Sequence, residues 1–355
     1  MELRTLSAES SSSFKDHWES FVLPHKHACA GHLDANFALA GAAGVRNRSI
    51  VLVDEKDRPV AAIPLFEIEE RELRIFRRRL LASGFEFPAH PLLAPNLASR
   101  QEREVLEAVI RAVESVAASS NADEVGISYP IIIDGVPAID RYRYCPLRQF
   151  GFHDESLVGM VLDLRPDIAE IQRGLDTSCR NKIRRAQKDG CSVRPVRDCE
   201  EWMNCLDLAR ETLGPSAPSE RLHRACWEYF ISPGHAVANA VVPPGTDAPS
   251  NVVVAVGWNG GWYYWKSYNA RLRPVPGMNN LALWETIASV KQRNGAVFEL
   301  GSMEFDDPKQ IAIAEFKRSF GGTATYALRG VRYRRPLRRA ALGLLSAAYR
   351  SWFKR

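Results

Sequence analysis

Short apolar runs dominate the first part of the chain. Ser49–Asp54 and Pro59–Phe66 are two such runs joined by the polar Glu55-Lys56-Asp57, and they read as a β-hairpin. Glu67–Phe76 alternates and predicts a further strand. A helix is expected over Phe14–Leu23. A longer one is expected over Gln101–Ala117, where Val105, Leu106, Val109, Ile110, Val113 and Val116 share a face opposite charged residues. Glu124–Ile127 then reads as a strand. Strands in series followed by a helix and a strand predict an α/β lobe.

A similar order returns after Leu157. Val161–Leu164 reads as a strand. A helix begins near Pro166, runs through Ile183 to about Lys188 and stops at Gly190. Ser192–Val196 is the next strand and Glu200–Leu213 the next helix. The strongest hairpin signal joins Asn251–Trp258 to Trp262–Tyr268 through Asn259-Gly260-Gly261. Pro243–Ser250 is turn-rich and reads as an exposed loop. Leu281–Arg293 reads as a helix, Ala296–Leu300 as a buried strand, Ile311–Phe320 as a short helix and Thr323–Leu328 as a closing strand. No internal repeat is visible at the level of residues. The expected division is a first lobe over 1–155, a second over 156–328 and a C-terminal tail over 329–355.

Composition adds bounds. The chain has 355 residues, 46% hydrophobic and 25% charged, which is globular and long enough for about two domains. The net charge of +5 is too small by itself to argue for nucleic acid. The seven cysteines are irregularly spaced and contain no CxxC pair, so reduced thiols and a cytosolic compartment are expected. The serine-rich N-terminus lacks the apolar core of a signal peptide, and no apolar run approaches the roughly 20 residues of a membrane span. His25, His27, Cys29 and His32 invite a metal reading. They lack paired ligand spacing and a second cluster, so a loop is the expectation, with no metal and no cofactor.

Positive charge gathers in two places. Arg180, Arg184 and Lys188 are spaced to share one helix face, with Lys182 and Arg185 flanking and Ile183 and Ala186 turned inward. Such a stripe suits the phosphates of a tRNA, a nucleotide-linked precursor or coenzyme A, and it also suits a solvated face. The tail Arg332–Arg355 has no acid. Leu337, Ala341, Leu344, Leu345, Ala348 and Trp352 fall near one helical face, while Arg338, Arg339, Arg350 and Lys354 lie largely outside it. It reads either as an interfacial helix for anionic lipid or as a helix packed on the first lobe.

Two stretches resemble the FemAB-like family of aminoacyl and acyl transferases. One is Thr177–Gly190, similar to the family's basic helix with its lysine-x-glycine stop. The other runs from Asn280 to Gly321, with Leu283-Trp284-Glu285, then Gly295, then Leu300-Gly301-Ser302, and finally Glu315-Phe316-Lys317-Arg318-Ser319-Phe320-Gly321. The closing "FK, two residues, FG" is the most specific part. The resemblance covers the second lobe well and the first only loosely. It implies an α/β (α+β) fold of two tandem GNAT-like lobes with a cleft between them, to which the tail's own spacing adds a C-terminal amphipathic helix. It further implies transfer of an aminoacyl or acyl group, from aminoacyl-tRNA or another activated donor, to an amine of a cell-envelope or polysaccharide precursor. By the same resemblance, Phe316 and Lys317 match the family's helix-borne pair, and Lys317 would hold negative charge on the reacting carbonyl. Glu299 stands where the family more usually has aspartate, which leaves its role open.

The residues themselves are compatible with that chemistry. Acyl transfer to an amine needs a fixed donor or cation at the oxyanion and an acceptor for the amine's proton. Lys317 suits the first need. Glu304, Asp306 and Asp307 are the expected candidates for the second. Trp262, Tyr264, Lys266 and Tyr268 are expected on one face of the hairpin, lining a substrate cleft or forming sheet core. The glycine loop with which many GNAT enzymes cradle the coenzyme A pyrophosphate is absent, which weakens an acyl-CoA donor. Two rivals remain: an acyl-CoA-dependent N-acetyltransferase of exopolysaccharide synthesis, and a non-catalytic RNA- or membrane-binding protein. Location is expected to be cytoplasmic, with the tail able to bring the protein to the inner face of the membrane.

Overall fold

A computed structural model describes residues 3–72, 76–270, 275–305 and 307–340. These divide into two compact units. One comprises the chain up to Pro130, Tyr142–Ser156 and the residues from Leu328 onward. The other comprises Ile131–Arg141 and Leu157–Ala327. The expected boundary near 155 thus describes a chain that also crosses at 131–141 and returns at 328.

In the first unit the predicted hairpin forms, Ile50–Val53 pairing antiparallel with Pro59–Ile63. Arg4–Ser7 and Leu92–Leu93 complete a four-stranded sheet. A six-stranded sheet runs in the order His153–Asp154, Arg329–Tyr333, Glu124–Ser128, Phe76–Ala82, Phe66–Glu72, Arg46–Asn47. The helix Ser99–Ser119 buries Val105, Val109, Ile110 and Val113, as its spacing predicts. In the histidine loop, His25 Nε2 lies 2.8 Å from the Leu93 carbonyl and His32 Nε2 2.8 Å from the His90 carbonyl. These rings are occupied with backbone oxygens.

The tail departs from expectation at its start. Arg329–Tyr333 is a strand because it pairs along Glu124–Ser128. A helical turn follows at 336–340. Arg335 and Arg338 meet Asp123 at 3.2 and 2.6 Å, and Arg339 meets Glu124 at 3.1 Å. These arginines tie the turn to the first unit, and Arg338 and Arg339 stay partly solvent-exposed while paired with its acids. The remaining expected positions, 341–355, lie outside the described residues. No described helix is long and apolar enough to cross a membrane.

The second unit holds a seven-stranded sheet. In chain order its main elements are β1 (Leu157–Asp163), α1 (Ile168–Gly174), α2 (Thr177–Lys188), β2 (Ser192–Pro195), β3 (Ala236–Val242), β4 (Asn251–Trp258), β5 (Gly261–Asn269), α3 (Met278–Gln292), β6 (Val297–Ser302), α4 (Pro308–Arg318) and β7 (Thr323–Ala327). The sheet order is β2-β3-β4-β5-β6-β1-β7. All pairs are antiparallel except β5 with β6. The predicted helix from 166 to 188 is broken into α1 and α2. Leu175 and Asp176 turn extended between them, and the Arg180 guanidinium donates to the carbonyls of Arg173 and Leu175 that the break leaves open. The predicted helix 200–213 is likewise two, Cys199–Asn204 and Leu206–Leu213. Strand β3, buried at every position, was not among the predicted elements.

α2 and α3 pack on each other, and α3 packs across β3 and β4. Their core joins Cys179, Ile183 and Ala186 to Leu281, Trp284, Ile287 and Val290 over Val253, Ala255 and Trp262. Asn280 Nδ2 donates to Cys179 Sγ at 3.3 Å and ties the two helices. The hairpin turn uses left-handed Asn259 (φ 50°) and Gly260 (φ 77°), as a tight β4–β5 connection requires.

Gly257 lies opposite Trp262, and a Cβ added there would come within 2.2 Å of the indole. The ring occupies the space above the glycine. Gly257→Ala is therefore expected to destabilise the protein by about 1–3 kcal/mol, read as a lower urea midpoint at unchanged slope.

Candidate active site

The parallel pair β5–β6 is short. Gly261, Trp262 and Tyr263 pair with Val297, Phe298 and Glu299. Beyond that point β5 runs on to Asn269 and β6 to Ser302, but no further pairing joins them among the described residues. β6 remains held on its other side by β1 as far as Ser302. Leu300 is an unmatched residue in that ladder, since Met160 faces Gly301 and Val161 faces Glu299. Gly301 adopts φ 84°, a backbone state that suits glycine. The sheet therefore opens on one side of β6, next to a bulge and a glycine.

α4 delivers a lysine to this opening. Asp307 caps the helix by accepting from the Gln310 amide at 2.9 Å, and Pro308 occupies its first position. Ala314 and Phe320 belong to the core, and Phe316 packs against it and against Phe320, ring centroids 5.2 Å apart. Lys317 is half-buried. Its Nζ donates to the Ser302 carbonyl at 2.6 Å, and a Cβ on Gly301 would lie 3.3 Å from it. The missing side chain at 301 leaves room for the lysine to cross the end of β6.

Glu299 is buried two positions before Gly301 on the same strand, between Phe298 and Leu300. One part of its carboxyl accepts from the Ile131 amide, while Oε2 has no hydrogen-bond partner among the described residues. Burial raises its pKa from the usual 4.5 to about 8, against the opposing pull of the Ile131 amide and of Lys317. Burial also lowers Lys317, which Glu299 and then Glu304 partly offset. The expected proton acceptors fare differently. Glu304 is exposed, Asp307 is engaged as the α4 cap, and Asp306 lies outside the described residues. The sequence marked Glu299 only as a departure from a family pattern. A lone carboxylate between Val297, Phe298 and Leu300 was the available signal.

The cationic stripe on α2 is thinner than its spacing suggests. Arg180 serves the α1 carbonyls, and Arg185 lies 3.7 Å from Asp189. Lys182, Arg184 and Lys188 are exposed, with no ion pair among the described residues. A Cβ on Gly277, the left-handed residue before α3, would come within 2.1 Å of the Lys182 carbonyl. The start of α3, where helix amides and the positive end of the dipole emerge, thus abuts the backbone of the basic helix.

The four hairpin residues do not share a face. A bulge between Val254 and Ala255 pairs them with Lys266 and Tyr264 and leaves Trp265 unmatched. Trp262 and Tyr264 fall on the core side with Ala255. Lys266 and Tyr268 fall opposite Val254 and Val252, on the other side. Tyr268 there packs near Trp202 and His223, whose own rings stack at 4.2 Å, and Lys266 lies over the Trp265 ring at 4.4 Å.

The buried carboxyl makes stability depend on pH. The folded chain holds the Glu299 proton more tightly than the unfolded chain. Its contribution is complete below about 4.5 and is lost as pH rises toward about 8. The lowered Lys317 acts at the alkaline end, its contribution being present above 10.5 and lost as pH falls from there. The unfolding free energy of the wild type, measured by urea titration against Glu299→Gln, should accordingly decline between pH 4.5 and pH 8. Parallel curves would show that the carboxyl carries no retained proton.

No family model and no curated protein matches the chain. Solved structures do. The crystal structure of FemX is 13% identical, with 96% of this chain and 100% of that one covered and a TM-score of 0.67. A tandem GNAT protein from the clavulanic acid biosynthesis pathway is 12% identical, with 93% and 98% covered and a TM-score of 0.58. L-PGS from Bacillus licheniformis is 12% identical, with 94% and 96% covered and a TM-score of 0.58. At identities this low the likeness is one of fold, and the fold is the tandem GNAT fold, two α/β units in a single chain.

Proposed function

We propose that the chain is an N-acyltransferase moving an aminoacyl or other acyl group from an activated donor, charged tRNA in the first instance, to an amine of a cell-envelope or polysaccharide precursor. The observation that carries this reading is Lys317. Its ammonium is held at the Ser302 carbonyl, across a glycine, where the parallel strands part. The fold shared with FemX and with a tandem GNAT protein supports it.

The chemistry follows from this placement. An amine adding to an acyl carbon drives negative charge onto the acyl oxygen. A cation already fixed in a half-buried site stabilises that charge without reorganising as it forms. Phe316 and Phe320 hold the helix that carries the cation. Lys182, Arg184 and Lys188, with the first turn of α3, would receive the donor's phosphates. Arg180 and Arg185 contribute less, being engaged within the fold. In this reading Trp262 and Tyr264 are core residues rather than cleft lining.

Two measurements test the reading. Fluorescence anisotropy with charged tRNA should show tight, salt-sensitive binding that Arg184→Ala weakens and whose salt slope it reduces. Lys317→Ala should keep donor binding but lower single-turnover transfer by about 100- to 1,000-fold. Binding of acyl-CoA alone would shift the reading to an acyl-CoA-dependent N-acetyltransferase. Binding without transfer from either donor would leave a non-catalytic binder.

A further inference from the structure

The sequence from Arg329 to Arg355 carries nine cations and no acid. Six of these cations, Arg329 to Arg339, lie within the described residues. There they meet four acids, Glu114, Asp123, Glu124 and Glu155. All four acids come from earlier parts of the first unit. Depth matters as much as number. Asp123 and Glu124 are sunk, with side chains 10% and 6% exposed, whereas Arg335, Arg338 and Arg339 keep 43%, 40% and 46%. The ion pairs therefore turn their positive ends toward solvent. Arg78 and Tyr333 line the same shallow depression, and the Arg339 guanidinium lies over the Tyr333 ring at 3.7 Å.

An apolar side chain stands in this cationic surface. Leu337 is 86% exposed, more than any other large apolar residue described. It belongs to the turn at 336–340 and falls between Arg335 and Arg338, both held by Asp123. The arginines pin the turn, and the leucine is left in water. A lone exposed leucine is ordinary. This one is flanked by cations and followed by an acid-free stretch that adds Leu342, Leu344, Leu345, Trp352 and Phe353 to Arg350, Lys354 and Arg355. A nucleic acid would match the arginines and give the leucine nothing. The boundary of an anionic bilayer suits both, because lipid phosphates meet the guanidinium groups and the acyl region takes the apolar side chain.

We propose that this face of the first unit, formed by Arg335, Leu337, Arg338 and Arg339 with Arg78 beside them, docks on an anionic lipid bilayer. Leu337 enters the headgroup boundary, and the arginines meet lipid phosphates while keeping their buried acids. The inference is independent of the acyl-transfer reading, since neither donor nor acceptor takes part.

The test is vesicle sedimentation with the full chain, without donor or acceptor. Vesicles of phosphatidylglycerol mixed into phosphatidylcholine are compared with phosphatidylcholine alone. The wild type should sediment with the anionic vesicles only. It should be released as salt rises from about 0.1 M to about 1 M, which shortens the screening length from about 10 Å to about 3 Å. Leu337→Ser should weaken binding by about 3- to 10-fold, as for a leucine partly withdrawn from water, and Leu337→Phe should keep it at or above the wild-type level. Arg335→Gln leaves Asp123 paired with Arg338 and should weaken binding by about 5-fold. Urea midpoints of the variants should match the wild type; should that of Arg335→Gln fall, the two Leu337 variants, at an exposed site, decide. A wild type that stays in the supernatant, or that binds neutral vesicles equally well, overturns the proposal. Unchanged binding by Leu337→Ser places lipid affinity elsewhere in the chain and also overturns it. Single-stranded RNA that displaces the protein from vesicles, with an affinity lowered by Arg335→Gln and indifferent to Leu337→Ser, would make the surface a nucleic-acid site instead. Self-association without vesicles, abolished by Leu337→Ser, would assign the leucine to a second copy and overturn the proposal in the same way.

Discussion

A carboxyl group taken out of water must be neutralised, paired or generously hydrogen-bonded, and Glu299 is only partly provided for. One amide serves it, one lysine attracts it, and one oxygen is left without a partner. Several local choices are consistent with accommodating that group. The β5–β6 ladder ends at its position, the β1 ladder slips a residue beside it, and the next position but one is a glycine in a left-handed state. α4 is capped and core-packed so that its lysine arrives at the gap. A hydrophobic residue at 299 would relieve the burial, yet the sequence keeps an ionisable one among Val297, Phe298 and Leu300.

Much of this arrangement was legible in the residues. The β4–β5 hairpin, α3, β6, α4 and β7 follow from Asn-Gly punctuation and apolar spacing, and the FK-x-x-FG stretch singles out Lys317. What escaped was governed by tertiary contacts. The 166–188 segment has a helical pattern throughout, but Arg180 offers its guanidinium to the carbonyls of a break, and the break survives. Residues 236–242 have an unbroken buried run that periodicity alone does not assign to strand or helix. The four aromatic and cationic hairpin positions alternate correctly until a bulge inverts the later two, and a bulge leaves little trace in composition. Arg338 and Arg339 look like tail charges until the acids at 123 and 124, more than two hundred positions earlier, are brought beside them.

The same distinction separates the two cationic features. Charge counted along α2 overstates what is available, because two of its five cations are engaged within the fold. What remains is Lys182, Arg184 and Lys188, all exposed, with the backbone of Lys182 abutting the glycine before α3. Lysine and arginine at the surface contribute modestly one by one, so any affinity would come from their sum and would weaken with salt.

The amide that fixes Glu299 belongs to Ile131, in a stretch of eleven residues, 131–141, supplied to the second unit from within the sequence of the first. The unit that carries the lysine and the carboxyl is thus discontinuous along the gene. A fragment cut at 157 and 327 would keep both side chains and lose the backbone donor that steadies one of them, along with the Ile131 and Ile132 side chains packed near Val161 and Val297. Recombination that shuffles such units at their apparent borders would separate a reactive group from its support. The borrowed segment would be a reason for the two halves to be inherited together.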